Sequence, residues 1–139
     1  MLPLPTEHPS LQLVLDYLRA IEQNAEEAEL SSFFAPDVKQ HEFPNRLVER
    51  GAARGLEQIL AGSRKGRLVV QNQRYLVNNA LVDADGARVA IELTWKAELK
   101  VPLGSLPIGS TMTANCGVFF RLEAGRIAAQ HNYDCFEPF

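Results

Sequence analysis

The sequence predicts an α+β fold in which helices pack on the concave face of a strongly bent, mostly antiparallel sheet. Apolar residues recur at helical spacing through the first half of the chain. From Arg67 onward the spacing changes to a period of two. The strands this marks out are much longer than the usual five or six residues, and a chain of 139 residues can hold them only if the sheet coils. Helices first and a meander of strands afterwards is the α+β order.

The first helix starts after Ser10, read as its N-cap, with Leu11, Val14, Leu15, Leu18, Ile21, Ala25 and Ala28 on one face. Gln12, Asp16, Arg19, Glu22 and Gln23 lie opposite, so one side faces a core. A second, short helix is expected around Glu26 to Phe34, ending before Pro36 because a residue preceding proline avoids helical angles. Val38 to Phe43 reads as a short strand closed by Pro44. A third helix fits Leu56 to Ser63, with Gly51 and Gly55 before it and Gly66 after it. Four long strands follow, at Leu68 to Val82, Arg88 to Val101, Thr111 to Glu123 and Arg126 to Glu137. Asp85-Gly86 and Ala124-Gly125 supply hairpin turns, and Pro102 to Gly109 a longer loop. Alternation puts Val89, Ile91, Leu93, Trp95, Ala97, Leu99 and Val101 inward on one strand. It does the same for Met112, Ala114, Cys116, Val118, Phe120 and Leu122 on the next.

The length suits one domain over residues 1–139. A net charge of −3 gives no basic stripe for nucleic acid. No apolar run approaches a membrane span. Met1-Leu2-Pro3-Leu4-Pro5 lacks the cationic start of a leader, which makes the cytoplasm the expected location. Cys116 and Cys135 make neither a disulfide framework nor a zinc knuckle. His8, His41 and His131 share no ligand spacing, so a metal site would need His41, His131 and a carboxylate gathered in space. No metal is expected, and no flavin, nicotinamide or phosphate-loop fingerprint calls for a cofactor.

Three stretches carry a resemblance. They are Phe34-Ala35-Pro36-Asp37-Val38 with His41-Glu42-Phe43-Pro44, then Leu106-Pro107-Ile108-Gly109, and last Phe120-Arg121-Leu122 with Gly125-Arg126-Ile127 and Asn132-Tyr133. In order and spacing the chain resembles the nuclear-transport-factor-2-like superfamily: SnoaL-like polyketide cyclases, ketosteroid isomerases and limonene epoxide hydrolase. The resemblance implies a cone-shaped fold with three N-terminal helices on the concave face and a small-molecule pocket between. It places Tyr17 where ketosteroid isomerases keep an oxygen-binding tyrosine, and Glu42 where they keep their base. The epoxide hydrolase triad would fall at Leu99, Val101 and Asn132 and is absent. The second oxyanion donor of the isomerases would fall near Gly117 or Val118 and is missing too.

Glu42 is the leading candidate base. On the inner face of its strand, burial would disfavour the charged form, as a base working near neutrality requires. No arginine or lysine is recognisably placed to neutralise it. Solvent exposure or a structural ion pair is the competing reading. Tyr17, at the edge of the apolar helix face, needs a hydrogen-bond partner that is either a ligand oxygen or a backbone carbonyl. In the last strand, a two-residue turn at Ala124-Gly125 would place His131 and Tyr133 inward. A three-residue loop with a bulge would instead turn Gln130, Asn132 and Asp134 inward, because one residue of slip flips every side chain. The resemblance favours Asn132, with His131 as the alternative. Gln40, Trp95, Leu99, Val118, Phe120 and Asp134 complete the expected lining.

The expected activity is general acid–base isomerisation or cyclisation of a compact, mostly apolar carbonyl compound. Glu42 would move the proton, and Tyr17 and Asn132 would hold the oxygen. The alternative is a non-catalytic ligand-binding or dimerisation module. A homodimer through the outer sheet face is expected, since long exposed strands are rarely left uncovered.

Overall fold

A computed structural model describes residues 8–139, so the absence of a leader read from Met1–Pro5 concerns residues outside that range. Helix α1 spans Pro9–Glu22 and opens on proline, whose missing N–H is one the first turn leaves unpaired anyway. Its cap is His8 rather than Ser10, with Nδ1 accepting from the Ser10 amide at 3.1 Å. The Ser10 hydroxyl donates instead to the Gly86 carbonyl at 2.6 Å, tying the helix start to a distant hairpin turn. Asn24, at φ 54°, then turns the chain into α2, Glu27–Ser32.

Strand β1 spans Phe34–Glu42 and begins earlier than the alternation suggested. Pro36 lies inside it, exposed, where the pairing register slips between Phe34 and Lys39 and no ladder amide is demanded of it. β2, Ala52–Arg54, was not expected, being too short to show a period. Helix α3 spans Leu56–Val69 and passes through Gly66, where a stop was expected. A mid-helix glycine weakens a helix by only about 1 kcal/mol, and Arg67 ties the last turn to the Ala25 carbonyl.

The long strands are β3 (Val70–Val82), β4 (Arg88–Leu99), β5 (Thr111–Glu123) and β6 (Arg126–Phe136). The sheet order is β2-β1-β6-β5-β4-β3. β1 and β6 run parallel, and every other neighbouring pair is antiparallel. The sheet is curved and unclosed, with the helices on its inner side. Leu11 and Val14 of α1 are fully buried against Val89, Ile91 and Phe120. Leu99 lies with Val70, Ala97 and Met112 in a separate cluster towards the Pro102–Gly109 loop. Val101, expected inward, falls past the end of β4 and is 38% exposed.

The last hairpin combines both expected alternatives. Ala124 and Gly125, at φ 50° and 72°, form a two-residue turn that pairs Glu123 with Arg126. A bulge then follows at Ala128, because Leu122 pairs with Ile127 but Arg121 pairs with Ala129. Beyond it Phe120 stands beside Gln130, Val118 beside Asn132 and Cys116 beside Asp134. The bulge, not the turn, faces Asn132 and Asp134 inward.

Candidate functional site

The strand registers lay the inner face out in rungs. Arg54, Gln40, Gln130 and Phe120 form one, and Ala52, Glu42, Asn132 and Val118 the next. Asp134, Cys116 and Leu93 follow, then Phe136, Ala114, Trp95 and Tyr75. Strands β1 and β6 thus give a polar wall, and β4 and β5 an apolar one. Between these walls and α1 lies a cavity of about 280 Å³. A second lobe of about 250 Å³ extends beneath α3 and shares Tyr17, Gln40, Glu42, Gln73 and Tyr75 with the first.

Of the residues expected there, Tyr17, Gln40, Glu42, Trp95, Val118, Phe120, Asn132 and Asp134 line the first lobe. Leu99 belongs to the separate core cluster, and His131 does not reach the cavity. His131 is exposed on the outer face, its ring 6.0 Å from that of His41 and 5.7 Å from that of Phe43. Among the described residues, no group of three or more His, Cys, Asp or Glu stands close enough to hold a metal ion.

Glu42 is not left without a cation. Arg54 Nη1 donates to its Oε1 at 2.9 Å, and Asn45 Nδ2 donates to its Oε2 at 2.8 Å. The side chains are only 15% (Glu42) and 24% (Arg54) exposed. Asn45 is itself held, its Oδ1 accepting from the amides of Leu47 and Val48 at 2.9 Å each. Gly51, at φ 67°, packs on the same corner, where an added Cβ would fall 2.5 Å from the Glu42 carbonyl oxygen. The expectation of an unneutralised Glu42 is therefore corrected: a carboxylate with both oxygens engaged by an ion pair and an amide is poorly placed to accept a proton.

Asp134 is the other carboxyl of the cavity, and its surroundings differ. Burial raises its pKa above 3.8, Glu42 adding to the rise, while the Cys116 thiol and the more distant Arg54 act the other way. Burial also pushes the Cys116 thiol well up, away from thiolate chemistry. Trp95 and Phe136 meet edge to face nearby at 6.1 Å, and Trp95 Nε1 donates to Gln73 Oε1 at 3.0 Å. Tyr17 packs edge-on against Phe34 and Phe120, with centroids 5.2 and 6.4 Å away. Burial pushes its hydroxyl up to about 12, partly offset by the neighbouring Gln130 amide, so it keeps its proton at neutral pH. Asn132 Oδ1 accepts from Gln130 Nε2 at 2.9 Å, which leaves the Asn132 Nδ2 donor for the cavity. Two neutral donors and one partly desolvated carboxyl therefore share the cavity between the polar and the apolar wall.

The model of the SnoaL-like domain matches residues 14–130, from α1 into β6. The chain belongs to the SnoaL-like domain family. Comparison with curated proteins gives no match. Among solved structures, this SnoaL-like chain is similar to IdmH from Streptomyces antibioticus, at TM-score 0.75 and 17% identity over 91% of this chain and 92% of that one. It is also similar to a SnoaL-like polyketide cyclase from Agrobacterium tumefaciens, at 0.69 and 20% identity over 90% of each chain. A third is a protein of ketosteroid isomerase-like fold from Catenulispora acidiphila, solved with trimethylamine, at 0.68 and 18% identity over 87% and 83%. At these identities the likeness is one of fold. No helix among the described residues is long and apolar enough to cross a membrane.

Sequence reasoning passed over Arg54, Asn45, Gln73 and Tyr75. Arg54 sits on a strand too short to show alternation, and Asn45 acts through a turn. Tyr75 shares the inward side of β3 with Val77 and Gln73, but the register slips on both sides of that segment.

Proposed function

We propose that the chain is a general acid–base catalyst of isomerase or cyclase type. It would act with its own side chains on a compact, mostly apolar carbonyl compound. The observation that carries the reading is the desolvated Asp134 carboxyl, with no close ion-pair partner, in the same cavity as the neutral donors Tyr17 and Asn132. A carboxylate of raised proton affinity beside an apolar wall can take a proton from carbon next to a carbonyl. Tyr17 and Asn132 then stabilise the charge developing on oxygen. In this arrangement Asp134 takes the role first expected of Glu42, and Glu42 with Arg54 and Asn45 shapes the polar wall.

The test is α-proton exchange of an enolisable bicyclic ketone, 2-tetralone, followed by NMR in deuterated buffer. Asp134→Asn should slow the catalysed exchange by about two to four orders of magnitude, the usual weight of one general base. Exchange by Asp134→Asn at the wild-type rate would refute the assignment. The second reading, a ligand-binding module without catalysis, draws on the full engagement of Glu42. It predicts binding of the ketone with no exchange above buffer.

A second copy of the chain is proposed to cover the outer sheet face. The support is an exposed aromatic cluster in which Phe43 stacks on His41 at 4.2 Å and on Tyr133 at 4.4 Å, with Phe119 edge-on to Tyr133 at 5.9 Å.

A further inference from the structure

The inner end of the cavity contains an acceptor with nothing to accept. Gln130 is 4% exposed and is the buried polar residue among the described ones. One Nε2 hydrogen goes to Asn132 Oδ1 and the amide also neighbours the Tyr17 hydroxyl, while its Oε1 has no hydrogen-bond partner. It lines the cavity one rung deeper than Asn132, between Gln40 and Phe120, with Tyr17 alongside. A buried acceptor left unpaired keeps its desolvation cost uncompensated, and apolar residues of similar volume would avoid that cost.

We propose that Gln130 and Tyr17 form a hydroxyl-recognition subsite on the buried Gln130 rung of this cavity. Tyr17 retains its proton and can donate, whereas Gln130 Oε1 can only accept. A ketone or ether oxygen would satisfy Tyr17 and leave Gln130 unpaired. A carboxylate would set its lone pairs against Oε1 in a cavity already holding Glu42 and Asp134. An alcohol, phenol or enol answers both, accepting from Tyr17 and donating to Gln130. The class implied is a small ring compound that presents a hydroxyl to this pair, or a carbonyl that meets Tyr17 as the ketone and Gln130 once it becomes the enol.

This inference rests on the proposed function only in taking the cavity as the ligand site. It is tested with 2-naphthol and 2-methylnaphthalene, whose substituents have similar size, by calorimetric titration. The ratio of the two Kd values is compared between wild type and Gln130→Met, with thermal melting to confirm folding and Gln130→Leu in reserve. The expected result is a naphthol preference about five- to tenfold smaller in the variant, the worth of one neutral hydrogen bond. A ratio unchanged within twofold, or no binding of either probe by wild type, would overturn the subsite. A ratio shift without α-proton exchange sinks the catalytic reading alone, and exchange without a ratio shift sinks the subsite alone.

Discussion

Asp134→Asn should also make the protein more stable near neutral pH, and the pH dependence of that gain distinguishes a desolvated carboxyl from a structural one. The native pKa of Asp134 lies above its ordinary 3.8, chiefly through burial. The folded state is therefore the better proton binder between those two values. The stability this contributes is fully present below 3.8 and is lost as pH rises through the native pKa. Above that, wild type holds an incompletely solvated charge that asparagine does not carry. The side chain keeps contact with the open cavity and solvent screens its charge, so the gain should be that of an ordinary single substitution, about 1 kcal/mol. A chain of this length unfolds with an entropy near 0.3 kcal/mol/K, so Tm should rise by about 3 °C. Melting curves from pH 3.5 to 8 should show little difference at the acid end, a growing gain for the variant as pH rises through the native pKa, and a level difference above it. The wild-type exchange rate should fall on the acid side, along a limb displaced upward from 3.8. A variant less stable than wild type at pH 8, or a difference flat across the series, would refute the desolvation argument.

Arg54→Met should destabilise the fold by about 1–2 kcal/mol, because it strips the cation from a partly buried Glu42. Adding Glu42→Gln should restore part of the loss, which a double-mutant cycle in urea would read as coupling. Tyr17→Phe should lower the rate of 2-tetralone exchange by about 100-fold, beyond any loss of affinity, as loss of one oxyanion donor does; a change in affinity alone would leave Tyr17 a recognition residue only. Phe119→Glu, on the outer face, should convert a dimer to a monomer in sedimentation at micromolar concentration. A wild type already monomeric there would end the second-copy proposal.

The period-two alternation of the long strands carried most of the fold, because one face of β4 and of β5 is buried along nearly its whole length. Val89, Ile91 and Leu93 on β4, and Ala114, Val118 and Phe120 on β5, lie inward as their spacing requires. The failures came where backbone geometry departed from the period. The Ala128 bulge leaves no mark in composition, since Ile127 and Ala128 are both small enough and apolar enough to be buried side by side. Gly66 looked like a helix stop only because local propensity was weighed without the contact of Arg67 with the Ala25 carbonyl.

The division of labour between the two cavity carboxyls follows from the same limit. Glu42 and Asp134 lie on parallel neighbouring strands, with Asn132 the register partner of Glu42 and Asp134 two residues beyond it. In sequence each is a lone acid with no cation at a diagnostic spacing. What separates them is Arg54, twelve residues after Glu42 on a three-residue strand at the sheet edge, paired in register with Gln40. Hydrogen bonding to a carboxylate and desolvation of one act in opposite directions on its basicity. Adding β2 to the edge beside β1 therefore engages the carboxylate within its reach, and in the proposed reaction proton transfer falls to the one beyond it. If that partition is right, moving the cation should move the chemistry. In Arg54→Met, exchange should become partly resistant to Asp134→Asn, because Glu42 is then the freed base. A double variant as inactive as Asp134→Asn alone would show that position within the cavity, not neutralisation by Arg54, decides which carboxyl reacts.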